Sequence, residues 1–268
     1  MPALDAARFR DADKYASYLN SFAGRLRSDL AWENLRGFLP LDSTGLRALD
    51  LGGGTGVVSL RLAGMCFEVV LLDSSREMLR MAQKDAEANG VAARINLCHT
   101  DADQLDNLFD ADFFDFIVCH NLLEYIEDPG AILRSIARIA KKGAVVSVLV
   151  RNRAGEVLRA AIKSGDWGLA KANLSAETVV DSLFGEPVRV FDRTDLVRVL
   201  TQAGLGLAAE YGVRVFSDYV ESKDLDDENY RRLLELEFTL GARPQFAAIA
   251  RYSQLIIRRS GAPATPGI

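Results

Sequence analysis

Between about residues 45 and 150, short apolar runs rich in branched side chains alternate with stretches whose apolar residues recur at helical spacing. The runs are Leu46–Leu51, Glu68–Asp73, Ile95–Cys98, Phe114–His120 and Ala144–Val150. Runs this short and this apolar suit strands buried on both faces of a parallel sheet. Strands alternating with helices predict an α/β fold whose doubly wound, mostly parallel sheet has right-handed crossovers. Two later runs, Gly206–Phe216 and Arg251–Arg258, bring the strands to seven, with a charged helix from Asp226 to Leu240 between them.

The flanks complete a single domain over residues 1–259. Residues 1–45 are read as helical, with an amphipathic helix over Ala23–Leu39 that packs on the sheet or covers the site. Residues 46–150 form the core. Residues 151–200 form a polar, mostly helical insertion suited to be a lid, and 201–259 supply the last strands and helix. The tail, 260–268, has the composition of a disordered segment. Lys141-Lys142, just before the fifth run, reads as a solvated turn.

Composition narrows the function. A chain of 268 residues, of which 49% are hydrophobic, can bury a large core. Its net charge of −5 provides no overall basic field for non-specific binding to nucleic acid or an anionic membrane. Cys66, Cys98 and Cys119 are odd in number, far apart and set in apolar runs, which fits reduced, buried thiols and no metal site. No run is long and uncharged enough to span a bilayer, and the N-terminal stretch Met1–Arg10 lacks the apolar core of a signal peptide. A cytoplasmic protein, monomer or homodimer, is expected.

The candidate chemistry begins at Asp50-Leu-Gly-Gly-Gly-Thr-Gly56, directly after the first strand. Glycine allows the positive φ of a tight strand-to-helix turn and lets a ligand approach bare backbone. In a sheet of this kind the ligand lies beyond the carboxyl ends of the strands. The dinucleotide pattern Gly-x-Gly-x-x-Gly fails here, because counting from Gly52 its third glycine falls on Val57.

The stretch instead resembles the first motif of the class I S-adenosylmethionine-dependent methyltransferases, a Rossmann-like family. The resemblance continues through the ends of the next strands. Asp73 would accept hydrogen bonds from the ribose hydroxyls. Ser74-Ser-Arg-Glu-Met78 matches the family's following segment, whose methionine packs on adenine. Asp101-Ala-Asp103 stands where the family places a polar group against the adenine amine, and the segment from Cys119 to Pro129 ends in the family's Asp-Pro. The flanks, Leu26-Arg27, Trp32–Leu35, His120–Tyr125, Gly212–Tyr219, Leu233–Glu237 and Arg251-Tyr252, resemble the bacterial tRNA 5-carboxymethoxyuridine methyltransferases over nearly the whole chain. The resemblance implies a cofactor site of Arg27, Asp50, Gly52, Gly53, Gly54, Asp73, Ser74, Met78, Asp101, Ala102, Asp103 and His120, with S-adenosylmethionine as the cofactor and tRNA as the partner.

A carboxylate acceptor is already ionised near neutral pH and needs a cation to orient it rather than a base. Arg214 and Arg251 are candidates for that role, a surface salt bridge being the alternative for each. Tyr219 and Tyr252 could bond the acceptor, stack on a base or simply pack. His120 would contact the cofactor, or serve as a base if the acceptor were an amine or phenol. Where the family carries a lysine-rich run, residues 172–187 are slightly acidic, which keeps methylation of a small molecule open beside the tRNA reading. A third possibility is a cofactor-binding protein without catalysis.

Overall fold

The computed structural model describes residues 12–220 and 225–259. In chain order its main elements are α1 (Ala12–Asn20), α2 (Phe22–Arg36), β1 (Arg47–Leu51), α3 (Val57–Gly64), β2 (Glu68–Asp73), α4 (Arg76–Ala88), β3 (Ile95–His99), α5 (Leu105–Leu108), β4 (Phe114–His120), α6 (Pro129–Ile139) and β5 (Ala140–Arg151). There follow α7 (Arg153–Leu158), a π turn over Arg159–Lys163, α8 (Trp167–Asn173), β6 (Thr178–Val180), β7 (Pro187–Arg189), α9 (Arg193–Gln202), β8 (Leu205–Val213), α10 (Asp227–Gly241), α11 (Pro244–Ala247) and β9 (Tyr252–Arg259).

Seven strands form one sheet in the order β3-β2-β1-β4-β5-β9-β8. The first five are parallel, and β9 runs antiparallel between β5 and β8. Successive side chains point to opposite faces of a strand, so β1 sends Leu49 and Leu51 into one core and Ala48 into the other. The first core takes Ile132, Leu133 and Ile136 of α6 and Leu196 and Leu200 of α9. The second takes Leu35 of α2 and Leu62 of α3. The alternation of apolar runs and helices therefore produces the α/β sheet expected, buried on both faces.

The topology brings one end of every strand in this sheet to a single edge. The parallel strands β1, β2, β3, β4 and β5 finish there, β8 finishes there, and β9 starts there.

Several local expectations are corrected. The amphipathic helix expected over Ala23–Leu39 is α2, which begins behind the N-cap Ser21, whose hydroxyl accepts from Gly24 N at 3.2 Å, and ends earlier than expected, at Arg36. Lys141-Lys142 lie within β5 rather than in a turn, because Lys141 Nζ reaches both Asp115 oxygens at 2.8 Å and the strand tolerates an irregular register there. The strand β8 stops at Val213, since Arg214 adopts a φ of 61° and cannot continue a strand. A two-stranded hairpin, β6–β7, stands in the segment read as mostly helical. Cys66 and Cys98 are only half-buried, whereas Cys119 is fully buried, and all three thiols are free. Among the described residues no helix is long and apolar enough to cross a membrane, and no cluster of His, Cys, Asp and Glu could hold a metal. The tail at 260–268 lies outside the described residues.

Candidate active site

A cleft of about 1020 Å³ opens along the shared strand edge. Its walls come from the loops after β1 to β4, the ends of β5, β8 and β9, the helices α1 and α2, and the β6–β7 hairpin.

One half is built on the glycine turn. Gly52 and Gly54 adopt φ +68° and +55°, and a Cβ on Gly52 would meet Leu122 at 3.0 Å. Only glycine gives that turn without strain. Asp73, at the end of β2, holds the turn in place, its Oδ2 accepting from Gly54 N at 2.9 Å and its Oδ1 from Ser75 N at 2.8 Å. Asp73 lines the cleft, and each of its oxygens has a further lone pair beyond these two bonds. Burial, opposed by those two hydrogen bonds, leaves the Asp73 pKa above the ordinary carboxylate value. Ser74, Met78, Asp101, Ala102 and Asp103 line the same half, Met78 being placed by α4, whose N-cap Ser75 accepts from Met78 N. A bare glycine backbone, an acidic strand end and an apolar methionine together fit the ribose and adenine of S-adenosylmethionine.

Asp50 and Gly53 do not line this cleft. Both lie behind the turn, where Asp50 Oδ2 accepts from Ser59 N at 3.1 Å and Ser59 Oγ at 2.7 Å, fastening the start of α3. Burial raises the Asp50 pKa to about 6 against the lowering effect of Ser59. A smaller cavity beneath the turn joins Asp50, Gly52, Gly53, Arg27 and His120. Arg27 and His120 thus border both spaces. His120 Nε2 lies 2.8 Å from Ser147 Oγ, and burial together with Arg27 lowers its pKa to about 3.

The other half surrounds Tyr252, at the start of β9. The guanidinium carbons of Arg27, Arg151, Arg214 and Arg251 lie 5.8, 5.9, 5.8 and 5.9 Å from its ring centre. Arg151 ends β5, Arg214 follows β8, Arg251 precedes β9 and Arg27 lies on α2, so the fold assembles this cluster from four segments. Three carboxylates partly neutralise it. Glu156 bonds Arg151 at 3.0 Å and Arg251 at 2.7 Å, Asp181 bonds Arg151 at 2.6 Å, and Asp218 pairs with Arg214. Arg27 faces Tyr15 and Tyr18 and has no carboxylate partner among the described residues. Arg151 Nε and Arg214 Nε are buried without a hydrogen-bond acceptor among the described residues. Arg159 and Lys163 add two more cations at the lip.

Of the residues singled out in the sequence, Arg214, Arg251, Tyr252 and His120 therefore meet on the cleft wall. Tyr219 does not line it, and is half-buried within reach of the Arg251 charge. Sequence reading passed over Arg151, Glu156, Asp181, Tyr15 and Tyr18. Arg151 did carry a signal, as a charged residue closing an otherwise apolar strand at the ligand-binding edge. Asp181 and Glu156 carried none, because their meaning depends on the arginines they meet in space.

A protein-family model described as a methyltransferase domain matches residues 42–182. The tRNA 5-carboxymethoxyuridine methyltransferase of Escherichia coli O157:H7 is 28% identical over 237 residues, covering 88% of this chain and 89% of that one. Its counterpart in Escherichia coli K12 is 28% identical over 240 residues with the same coverage. Among solved structures, a SAM-dependent methyltransferase of Thermotoga maritima, described as a possible histamine N-methyltransferase, has a TM-score of 0.62 at 17% identity, covering 95% of this chain and 99% of that one.

Proposed function

The chain belongs to the methyltransferase domain family, with S-adenosylmethionine as its methyl donor, and on that footing we propose that the acceptor is a carboxylate, that of 5-carboxymethoxyuridine in tRNA. The observation that carries this reading is the arginine cluster around Tyr252, where the buried Nε atoms of Arg151 and Arg214 lack an acceptor among the described residues. Buried cations left short of partners are costly unless a ligand completes them. A planar carboxylate matches the directional N–H donors of guanidinium.

S-adenosylmethionine, when bound, supplies a methyl group to a nucleophile. Asp73, the backbone at Gly52 and Gly54, Met78, Asp101, Ala102 and Asp103 would hold its nucleoside, with Ser74 beside them, and Arg27 and His120 its amino-acid end. Asp50 and Gly53 would support the turn from behind. Arg151, Arg214 and Arg251 hold the acceptor carboxylate, which arrives ionised because its ordinary pKa is about 4. Its oxygen is then the nucleophile, and no proton needs removing. Positioning accordingly supplies most of the catalysis. Tyr252 fills the centre of the cluster and keeps the guanidinium groups apart. Tyr219, outside the cleft lining, would act on Arg251 rather than touch the acceptor.

The relatives in Escherichia coli support tRNA as the carrier, since the match extends well beyond the family core. A small carboxylic acid is the second reading, favoured by the net charge of −5 and by acidic residues Glu177, Asp181 and Glu186 on the hairpin segment. Transfer of labelled methyl to tRNA carrying 5-carboxymethoxyuridine, with unmodified transcript as control, separates the two. Label on the modified tRNA alone, released by mild base as an ester is, supports the first; no label on either tRNA overturns it.

A further inference from the structure

We infer that Asn34, Gln254 and Ser147 act as positioning residues that lock His120 into the neutral tautomer protonated at Nδ1, making it a hydrogen-bond donor toward the cleft and unable to act as a base. The inference goes beyond the identity of the acceptor and holds for any of them.

The four residues form a continuous chain of hydrogen bonds through the centre of the fold. Asn34 Nδ2 donates to Gln254 Oε1 at 2.9 Å. Gln254 Nε2 donates to Ala31 O at 3.0 Å and to Ser147 Oγ at 3.1 Å, and Ser147 Oγ lies 2.8 Å from His120 Nε2. Asn34, Gln254 and Ser147 are 3%, 0% and 0% exposed, so water cannot substitute for a missing partner.

The direction of each bond follows from one fixed acceptor. The Ala31 carbonyl can only accept, so the Gln254 atom facing it must be the amide nitrogen. Its oxygen then faces Asn34, and its second N–H points at Ser147 Oγ. That hydroxyl, already accepting from Gln254, has its own proton left to place, and His120 Nε2 is the remaining partner. Reversing the last bond would strand the buried serine proton without an acceptor. Nε2 is therefore the lone-pair nitrogen and Nδ1 carries the hydrogen. Protonating both nitrogens would set two donors against each other, so the imidazolium is excluded too. Burial and the Arg27 charge act in the same direction.

The consequence is chemical. A histidine at the end of β4 would be the natural base for an amine or phenol acceptor, yet here one nitrogen is capped and the other already protonated. Among the described residues Nδ1 has no protein partner, so its N–H is available to a ligand acceptor atom.

Nitrogen-15 spectra of the uniformly labelled chain test this directly. The sequence contains two histidines, and a His99→Gln variant assigns the His120 ring by elimination. The expected spectrum has a pyrrole-type Nδ1 and a pyridine-type Nε2, unchanged across about pH 5 to 8, where free histidine titrates. A protonated Nε2, or a ring that titrates in that range, overturns the inference. In Ser147→Ala nothing is left to donate to Nε2, and both tautomers should appear; Ser147→Thr, which keeps the hydroxyl, should retain the single form. If Ser147→Ala left the single tautomer intact, the relay would play no part in fixing it. Should either variant fail to fold, the wild-type spectrum alone still decides.

Discussion

Arg151 and Asp181 are joined across the cleft, guanidinium Nη2 to carboxylate Oδ1 at 2.6 Å, with side-chain exposures of 8% and 4%. One residue ends the fifth strand and the other begins the hairpin turn, where Asp181 Oδ2 also accepts from Leu183 N and Phe184 N at 3.0 and 2.9 Å. Asp181→Ala should therefore loosen the hairpin as well as leaving Arg151 short of a partner. Breaking a buried pair from one side costs about 3–5 kcal/mol. Limited proteolysis should cut residues 181–186 faster in the variant than in the wild type. Equal cutting rates would mean that other contacts hold the hairpin.

Asp73 is expected to govern donor binding. Asp73→Ala removes a carboxylate that anchors the glycine turn and that we assign to the ribose, and charge-assisted hydrogen bonds contribute about 1.5–3 kcal/mol. Calorimetry should show S-adenosylmethionine affinity reduced by roughly ten-fold or more. An unchanged affinity would misplace the cofactor.

Arg214 combines a charge with a backbone conformation that arginine adopts at a cost. A left-handed residue other than glycine costs about 1–2 kcal/mol. Arg214→Gly and Arg214→Ala should both lose turnover while binding S-adenosylmethionine normally. The glycine variant should unfold at the higher denaturant concentration, because the positive φ at this position suits it. Wild-type turnover in either variant would remove Arg214 from the acceptor site.

Tyr252 should titrate apart from the other perturbed tyrosines. Burial alone would raise its pKa, but the charges of Arg151, Arg251, Arg214 and Arg27 outweigh it and bring the value down to about 7. Burial pushes Tyr18, Tyr125, Tyr219 and Tyr230 the other way. Ultraviolet difference spectra should show a tyrosinate step near neutral pH that Tyr252→Phe abolishes. A flat spectrum there would show the cluster to be more neutral than its geometry implies.

The buried Asp50 should leave its mark on stability. Its folded pKa, about 6, lies above the ordinary 3.8, so its contribution is complete below the ordinary value and is lost as pH rises through 6. Two pKa units correspond to ~3 kcal/mol. Chemical denaturation of wild type and Asp50→Asn across that pH range should give a difference that shrinks the wild type's relative stability by that order as pH rises. A constant difference would contradict the raised pKa.

The sheet and the half of the cleft built on the glycine turn were legible because their information is local. Each strand is an apolar run, and Asp73, Ser74 and Met78 lie at or just after the end of one strand. The acceptor half was only partly legible. Arg27, Arg151, Arg214 and Arg251 are far apart in the chain and meet because β9 lies between β5 and β8, a pairing that no local pattern specifies. Arg214 appeared in the sequence to sit inside a strand, yet the left-handed turn there ends β8 and directs the side chain into the cluster. In the sequence His120 reads as a cofactor contact or a base, but its hydrogen bonding depends on Ser147 and, through it, on Gln254 of β9, far beyond any local pattern around the histidine.

The insertion of β9 also orders events during synthesis. The strand β8, residues 205–213, has no neighbour in the sheet until residues 252–259 leave the ribosome, whereas β1 to β5 can pair as soon as residue 151 has emerged. The half of the cleft built on the glycine turn can thus form on the nascent chain while Arg251 and Tyr252 are still in the exit tunnel. The growing polypeptide has the glycine-turn half of its cleft before the arginine half, which must wait until β9 has paired with β5 and β8.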